Sequence, residues 1–102
     1  FDADTTPAIN AYGSSHVYKT GATGATITEF DEVYAGQRFT IISGGAIVYD
    51  TTANARLIGS SVDITTAAGD ITEWICDVGG STSSVCRLVQ FTDVSVDNSG
   101  GI

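Results

Sequence analysis

The sequence has little charge, and most of what it has is of one sign. Only four of the 102 residues are basic, against twelve acidic ones, and the formal net charge is −8. The basic residues are scattered along the chain: Lys19, Arg38, Arg56 and Arg87. Nucleic-acid binding needs a basic face that neutralises phosphates, and anionic membranes attract clustered cations. We therefore expect neither nucleic acid nor an anionic membrane surface as a partner.

Long apolar runs and the usual reactive residues are also scarce. No run reaches the length of a membrane span, so we expect no membrane insertion. One His and two Cys are too few for the familiar zinc patterns. The single His16 lacks a recognisable nucleophile motif, which favours a surface or interface position over catalysis. We predict no catalytic residue, no metal site and no cofactor, and hence a chain that is not an enzyme.

Carboxylates offer two further candidate sites, and neither follows a functional pattern. Asp2, Asp4, Asp31 and Glu32 supply oxygen ligands of the kind that Ca²⁺ prefers, but not the spacing of a calcium loop. We interpret them as solvated acids. Twelve acids in so short a chain make some carboxylate pair inevitable, so a glycosidase-like pair carries no signal.

β-branched residues dominate what is present. Fourteen Thr, ten Ile and nine Val stand against two Leu and no Met, a composition that favours strands over helices. We predict one all-β domain over residues 1–102, a small antiparallel β-sandwich-like fold, with loose ends at 1–8 and 97–102. Gly- and Ser-rich turns bound eight predicted strands: 15–20, 25–30, 37–43, 46–50, 55–59, 62–66, 70–77 and 84–91.

The last two strands are predicted to form a hairpin in which Cys76 faces Cys86. In that register Trp74 faces Leu88 and Ile75 faces Arg87, and we predict Gln90 on the same side of the hairpin as Trp74 and Phe91 on the same side as Ile75. We favour two small buried thiols, with a disulfide as the alternative. Both faces of this hairpin are largely apolar, where a solvated hairpin has one polar face. Either a second layer of the chain or neighbouring copies would cover them.

Charged and aromatic side chains give the remaining candidates. Glu73 lies mid-strand on an apolar face, and a diagonal ion pair with Arg87 is its predicted role. Aromatic rings in β domains are usually core or interface anchors, but some stack on sugars. The candidates for such stacking are Tyr12, Tyr18, Tyr34, Tyr49 and Trp74, of which we select Tyr34 and Tyr49 as glycan contacts.

The order of short motifs over residues 6–91 resembles a known family. TPAI (6–9) is followed by TITEF (26–30), GQRFTII (36–42) with a hairpin to IVYD (47–50), RLIGSSVDIT (56–65), AAGDITEWICD (67–77) and a closing strand. This order is similar to the C-terminal domain that follows the β-helix in bacteriophage tailspikes and tail fibres. The chain departs from that pattern at Glu73, where an apolar residue is usual, and in lacking a Trp on its last strand.

The resemblance implies a non-catalytic C-terminal domain, excised from a longer tailspike, that drives trimerisation, register and stability at the distal end of the fibre. Its expected partner is itself, as a homotrimer, and its expected location is the virion. The alternative function is a carbohydrate-binding module for host surface polysaccharide. Candidate trimer-interface or core residues are Phe39, Ile41, Ile42, Val48, Trp74, Ile75, Leu88 and Val89.

Overall fold

A computed structural model describes residues 4–12, 16–52 and 55–94, and these form an all-β domain. All eight predicted strand positions are confirmed. The strands are β1 (Val17–Lys19), β2 (Ala25–Ile27), β3 (Arg38–Ile42), β4 (Ile47–Tyr49), β5 (Leu57–Ile58), β6 (Ile64–Thr66), β7 (Ile71–Val78) and β8 (Val85–Thr92), preceded by a 3₁₀ turn at Ile9–Tyr12. The predicted tail at 97–102 lies outside the described residues.

The strands are divided between two mixed sheets. One has five strands in the order β1-β3-β7-β8-β5, and the other has three in the order β2-β4-β6. The prediction of an antiparallel fold is wrong in part, because β1–β3, β2–β4 and β5–β8 are parallel pairs. Parallel pairing joins strands that are distant in sequence, so no local turn signal predicts it.

The link between β3 and β4 crosses from one sheet to the other. The predicted hairpin between these strands is therefore wrong, although a Gly-Gly turn is typical of hairpins. The two glycines serve a close approach instead. A Cβ at Gly44 would overlap the backbone oxygen of Thr20, and one at Gly45 would overlap that of Ala22. The Gly44 N–H also donates to the Thr20 hydroxyl (2.7 Å).

Aromatic rings join the two sheets. Tyr49 on the three-stranded sheet lies 5.1 Å from Trp74 on the five-stranded sheet, measured between ring centroids. Phe30, in the loop after β2, contacts Phe39 at 5.0 Å and Trp74 at 5.2 Å, both edge to face. All four rings are buried. Edge-to-face pairs add to the stabilisation from burial alone.

Buried polar groups in this core have partners. The Trp74 indole N–H donates to the Thr72 hydroxyl (2.9 Å), which in turn lies 3.4 Å from the hydroxyl of Tyr49. Ser43 and Thr66 share a hydroxyl hydrogen bond of 2.7 Å between the sheets. A buried N–H without an acceptor is costly, so Thr72 makes the Trp74 position possible.

The segment before the 3₁₀ turn is attached to the loop after β2. Pro7 is buried, and its carbonyl accepts from the Asp31 N–H (2.9 Å). The Ile9 N–H donates to the Asp31 carbonyl (2.9 Å), and the Thr5 carbonyl accepts from the Thr28 N–H (2.9 Å). The prediction of a loose end at 1–8 is therefore wrong for residues 4–8, and residues 1–3 lie outside the described residues.

The β7–β8 hairpin has the predicted register at its centre. Cys76 pairs with Cys86, Trp74 with Leu88, and Ile75 with Arg87. The two cysteines form a buried disulfide, so the favoured interpretation as free thiols is wrong. A bulge then shifts the register, so that Glu73 pairs with Gln90.

That bulge changes the faces of the sheet on which Gln90 and Phe91 lie. Phe91 pairs with Thr72 and packs against the core, while Gln90 is turned to the other side with Glu73. The predicted faces of Gln90 and Phe91 are therefore reversed. An extra residue in one strand has this effect because successive side chains alternate between faces.

Candidate functional site

The five-stranded sheet has one face on the core and one turned away from it. On β1, β3 and β7 the burial alternates, with Tyr18, Phe39, Ile41 and Trp74 inward. The outward surface, called the open face, consists of Val17, Lys19, Arg38, Thr40, Ile42, Ile58, Ile71, Glu73, Ile75, Asp77, Val85, Arg87, Gln90 and Thr92. Its residues Ile42, Ile71 and Ile75 on β3 and β7 are half-buried, and Val17 and Ile58 are exposed.

The open face differs in charge from the rest of the chain. It contains three of the four basic residues, Lys19, Arg38 and Arg87, and two of the ten acidic residues that the structure describes, Glu73 and Asp77. Its formal charge is therefore +1, whereas the other described residues carry −7, from one basic and eight acidic side chains. Scattered positions in the sequence thus come together on one face through strand pairing.

The predicted ion pair between Glu73 and Arg87 is wrong. Arg38 Nη2 lies 3.4 Å from Glu73 Oε2, across the β3–β7 pair. The Arg87 guanidinium instead donates through Nε and Nη2 to Asp77 Oδ2, at 3.2 and 3.1 Å. The bulge places Gln90 opposite Glu73, and β3 supplies a second cation that local hairpin pairing does not reveal. Exposed pairs of this kind contribute little to stability.

The predicted core or interface residues divide into three groups. Phe39, Ile41 and Trp74 lie in the core. Leu88 is partly buried against that core, while Ile42, Val48 and Ile75 are half-buried. Val89 is the additional residue of the bulge and is exposed. Of these, Ile42 and Ile75 belong to the open face.

The two predicted glycan contacts have opposite environments. Tyr34 is 72% exposed. Tyr49 is fully buried, and this burial raises the pKa of its hydroxyl to about 12, so the prediction of a glycan contact there is wrong. It alternates with Val48 on β4, which places it on the core side of the sheet. Tyr18 and Trp74 are buried as well, and the side chain of Tyr12 lies outside the described residues.

Tyr34 stands where two grooves meet. One has a volume of about 630 Å³ and is lined by His16, Gln37, Arg38, Thr40 and Glu73 among others. The second, of about 500 Å³, is lined by Glu32, Ala35 and the loop Gly79–Ser81. Tyr34 and Asn10 line both. The first groove lies beside the Arg38–Glu73 ion pair, so its charges nearly balance.

The side-chain amides of Asn10 and Gln37, which line the first groove, hydrogen-bond to each other. Asn10 Nδ2 donates to Gln37 Oε1 (3.0 Å), and Gln37 Nε2 donates to Asn10 Oδ1 (2.9 Å). Sequence analysis missed both residues. They are 27 positions apart, and although Gln37 lies in the predicted strand 37–43 and in GQRFTII, no local signal points to its pairing with Asn10.

Asp31 is an acid whose pKa is raised well above its usual value. The pKa of its carboxyl is raised from 3.8 to about 6. Burial is the largest cause, followed by a hydrogen bond with Glu29 and by repulsion from Glu29, Asp4 and Glu32. Its Oδ1 is buried without a hydrogen-bond partner. Across the described ranges, no group of three or more His, Cys, Asp or Glu side chains is arranged to hold a metal ion. Asp2, the fourth predicted oxygen ligand, lies outside them.

Both cysteines of the chain are in the disulfide, so neither is a free nucleophile. Within the part of the chain that the structure describes, no helix has the length and apolar character needed to cross a membrane.

Comparisons with protein-family models, curated proteins and solved structures find no match for this chain. The open face and the surroundings of Tyr34 are therefore the candidate functional sites of this chain.

Proposed function

We propose that this chain is a non-catalytic structural domain that associates with copies of itself through the open face. The assembly is a homotrimer that fixes the register and stability of a phage tailspike or tail fibre at its distal end. The number three and the phage setting come from the resemblance over residues 6–91. The observation that carries self-association is the charge and apolar content of the open face.

Charge favours the open face as the surface where copies meet. A chain with a net charge of −8 repels its copies at most orientations. The open face carries a formal +1, so contacts through it avoid the repulsion that the −7 of the other described residues would cause. Electrostatic complementarity of this kind selects how partners are oriented.

Burial of the apolar area on the open face would supply the favourable free energy of association. Ile42 and Ile71 are paired across β3 and β7, and Ile75 lies two rows away on the same face, beyond the Thr40–Glu73 pair. Each is half-buried in the single chain and would lose its remaining solvent contact on association. Burial of apolar surface is worth about 25 cal/mol per Å², and a typical interface removes roughly 800 Å² from each partner.

The experiment compares variants that add the same charge at two places. Ile75→Asp introduces a carboxylate on the open face, and Val62→Asp introduces one at a residue that is 65% exposed and outside that face. We expect Ile75→Asp to lower the solution mass to that of one chain, and Val62→Asp to leave the mass unchanged.

A charge reversal covers the case in which Ile75→Asp fails to fold. Arg87→Glu changes an exposed residue and alters the open-face charge from +1 to −1. We expect it to weaken association by at least tenfold in dilution experiments while the monomer keeps its melting temperature. An unchanged oligomer in both open-face variants would exclude this face as the interface.

A further inference from the structure

We propose that Tyr34 and the amide pair Asn10–Gln37 form a binding site for a neutral oligosaccharide. Tyr34 and Asn10 lie outside the open face, but the first groove beside them shares Arg38, Thr40 and Glu73 with that face. The proposal starts from a large aromatic side chain that is 72% exposed on an ordered loop. Aromatic side chains are normally used for burial or for contact with a partner.

Hydrogen bonds fix the backbone of the loop that carries Tyr34. Gln37 N–H donates to the Tyr34 carbonyl (3.0 Å), and Tyr34 N–H donates to Gln37 Oε1 (2.9 Å). Val33 and Gly80 exchange two backbone hydrogen bonds, of 3.2 and 2.8 Å. The Gly36 N–H donates to the Cys76 carbonyl (2.6 Å). A ligand at this loop therefore orders little further backbone on binding.

Two residues of the loop that carries this ring have left-handed backbone. Glu32 is a non-glycine residue with a φ of 52°, which is strained, and Gly36 has a φ of 85°, which glycine adopts without strain. At Gly79 a Cβ would meet the Tyr34 carbonyl carbon at 2.7 Å, so only glycine allows the β7–β8 turn to support the loop this closely. Strained backbone persists where the surrounding structure fixes it, and it clusters at ligand sites.

The polar groups around Tyr34 suit hydroxyl groups better than ions. Each side-chain amide of Asn10 and Gln37 uses one of its two N–H groups in the reciprocal pair, so the second remains available to an acceptor. The groove beside them contains the Arg38–Glu73 pair, whose charges offset each other. A sugar ring presents an apolar face to an aromatic ring and hydroxyls at its edge. The negative net charge disfavours an acidic glycan.

The grooves on either side of Tyr34 give the ligand its length. Both grooves include the Tyr34 ring and Asn10 in their lining. A chain of sugar rings that crosses Tyr34 would occupy parts of both. The structure thus favours an oligosaccharide over a single sugar, with one ring stacked on Tyr34.

The test is a titration of the ¹⁵N-labelled chain with maltohexaose, cellohexaose and chitohexaose as neutral probes, and an alginate oligomer as the acidic probe. We expect at least one neutral probe to shift the backbone amide signals of residues 33–37 with a dissociation constant on the order of 1 mM. Tyr34→Ala should raise that constant by about tenfold, and Tyr34→Phe, which keeps the ring, should leave it within about twofold.

Four outcomes would overturn the proposal. They are the absence of shifts with every neutral probe, shifts confined to residues that line neither groove, binding of the alginate oligomer alone, and equal binding by Tyr34→Ala. Binding of an apolar peptide at the same residues in place of the sugars would assign the site to another ligand class. The Trp74 near-ultraviolet circular dichroism signal verifies that each variant is folded. An unchanged solution mass for Tyr34→Ala would show that its loss of binding is not caused by a change in self-association.

Discussion

Removal of the Cys76–Cys86 disulfide should destabilise the domain strongly. The perturbation is the double variant Cys76→Ala/Cys86→Ala. The bridge joins β7 to β8 across a sequence separation of ten residues, and both residues are fully buried. In the chain-entropy account, a closed loop of about ten residues removes roughly 9 cal/mol/K from the unfolded chain, or about 2.7 kcal/mol at 25 °C.

That free energy is large for a chain of this length. A loss of 1 kcal/mol lowers the melting temperature of a domain of 60–100 residues by about 4–8 °C. The double variant should therefore melt on the order of 10–20 °C below the oxidised parent. Thermal unfolding followed by far-ultraviolet circular dichroism measures this difference, at one protein concentration because association also shifts melting temperatures.

Reducing agent supplies the matched control. Dithiothreitol should lower the melting temperature of the parent toward that of the double variant, and should leave the double variant unchanged. A double variant that melts within about 2 °C of the oxidised parent would refute the loop-entropy reasoning. It would mean that β7–β8 pairing and the packing of Trp74 hold the hairpin without the bridge.

Two further changes test the buried polar groups. Burial and Glu29 raise the folded-state pKa of Asp31 from 3.8 to about 6. The folded chain therefore binds this proton more tightly than the unfolded chain does. The stability that the bound proton contributes is lost as pH rises from about 4 to about 6. Asp31→Asn should therefore raise the melting temperature at pH 7 and have little effect at pH 4, and equal effects at both pH values would contradict this. Thr72→Val should cost about 1–3 kcal/mol in urea unfolding because the Trp74 indole N–H loses its acceptor. Thr65→Val on the exposed side of β6 is the control and should cost almost nothing.

Much of the fold could be predicted because its signals are local. β-branched runs between Gly- and Ser-rich turns mark all eight strands, and the facing cysteines give the register at the centre of the β7–β8 hairpin. The bulge near Val89 has no comparable signal, so the faces of Gln90 and Phe91 are reversed in the prediction. The Gly-Gly pair after β3 is typical of a hairpin, yet here it allows the chain to pass close to Thr20 and change sheets.

The candidate sites depend on contacts between distant segments. Tyr34 could be selected as an exposed aromatic residue, but its amide neighbours could not. Tyr49 has the same residue type and lies in the core, because the three-stranded sheet turns that side of β4 toward Trp74. The open face likewise gathers Lys19, Arg38 and Arg87 from three strands, and only the strand order reveals that they share a surface.

The most direct test of self-association is the solution mass of the unaltered chain, measured by light scattering after size exclusion over a dilution series. We predict a mass about three times the 10.5 kDa of one chain, and its persistence on dilution into the micromolar range. A mass of one chain at every concentration would contradict the proposed trimer, and would mean that the open face is a solvated surface.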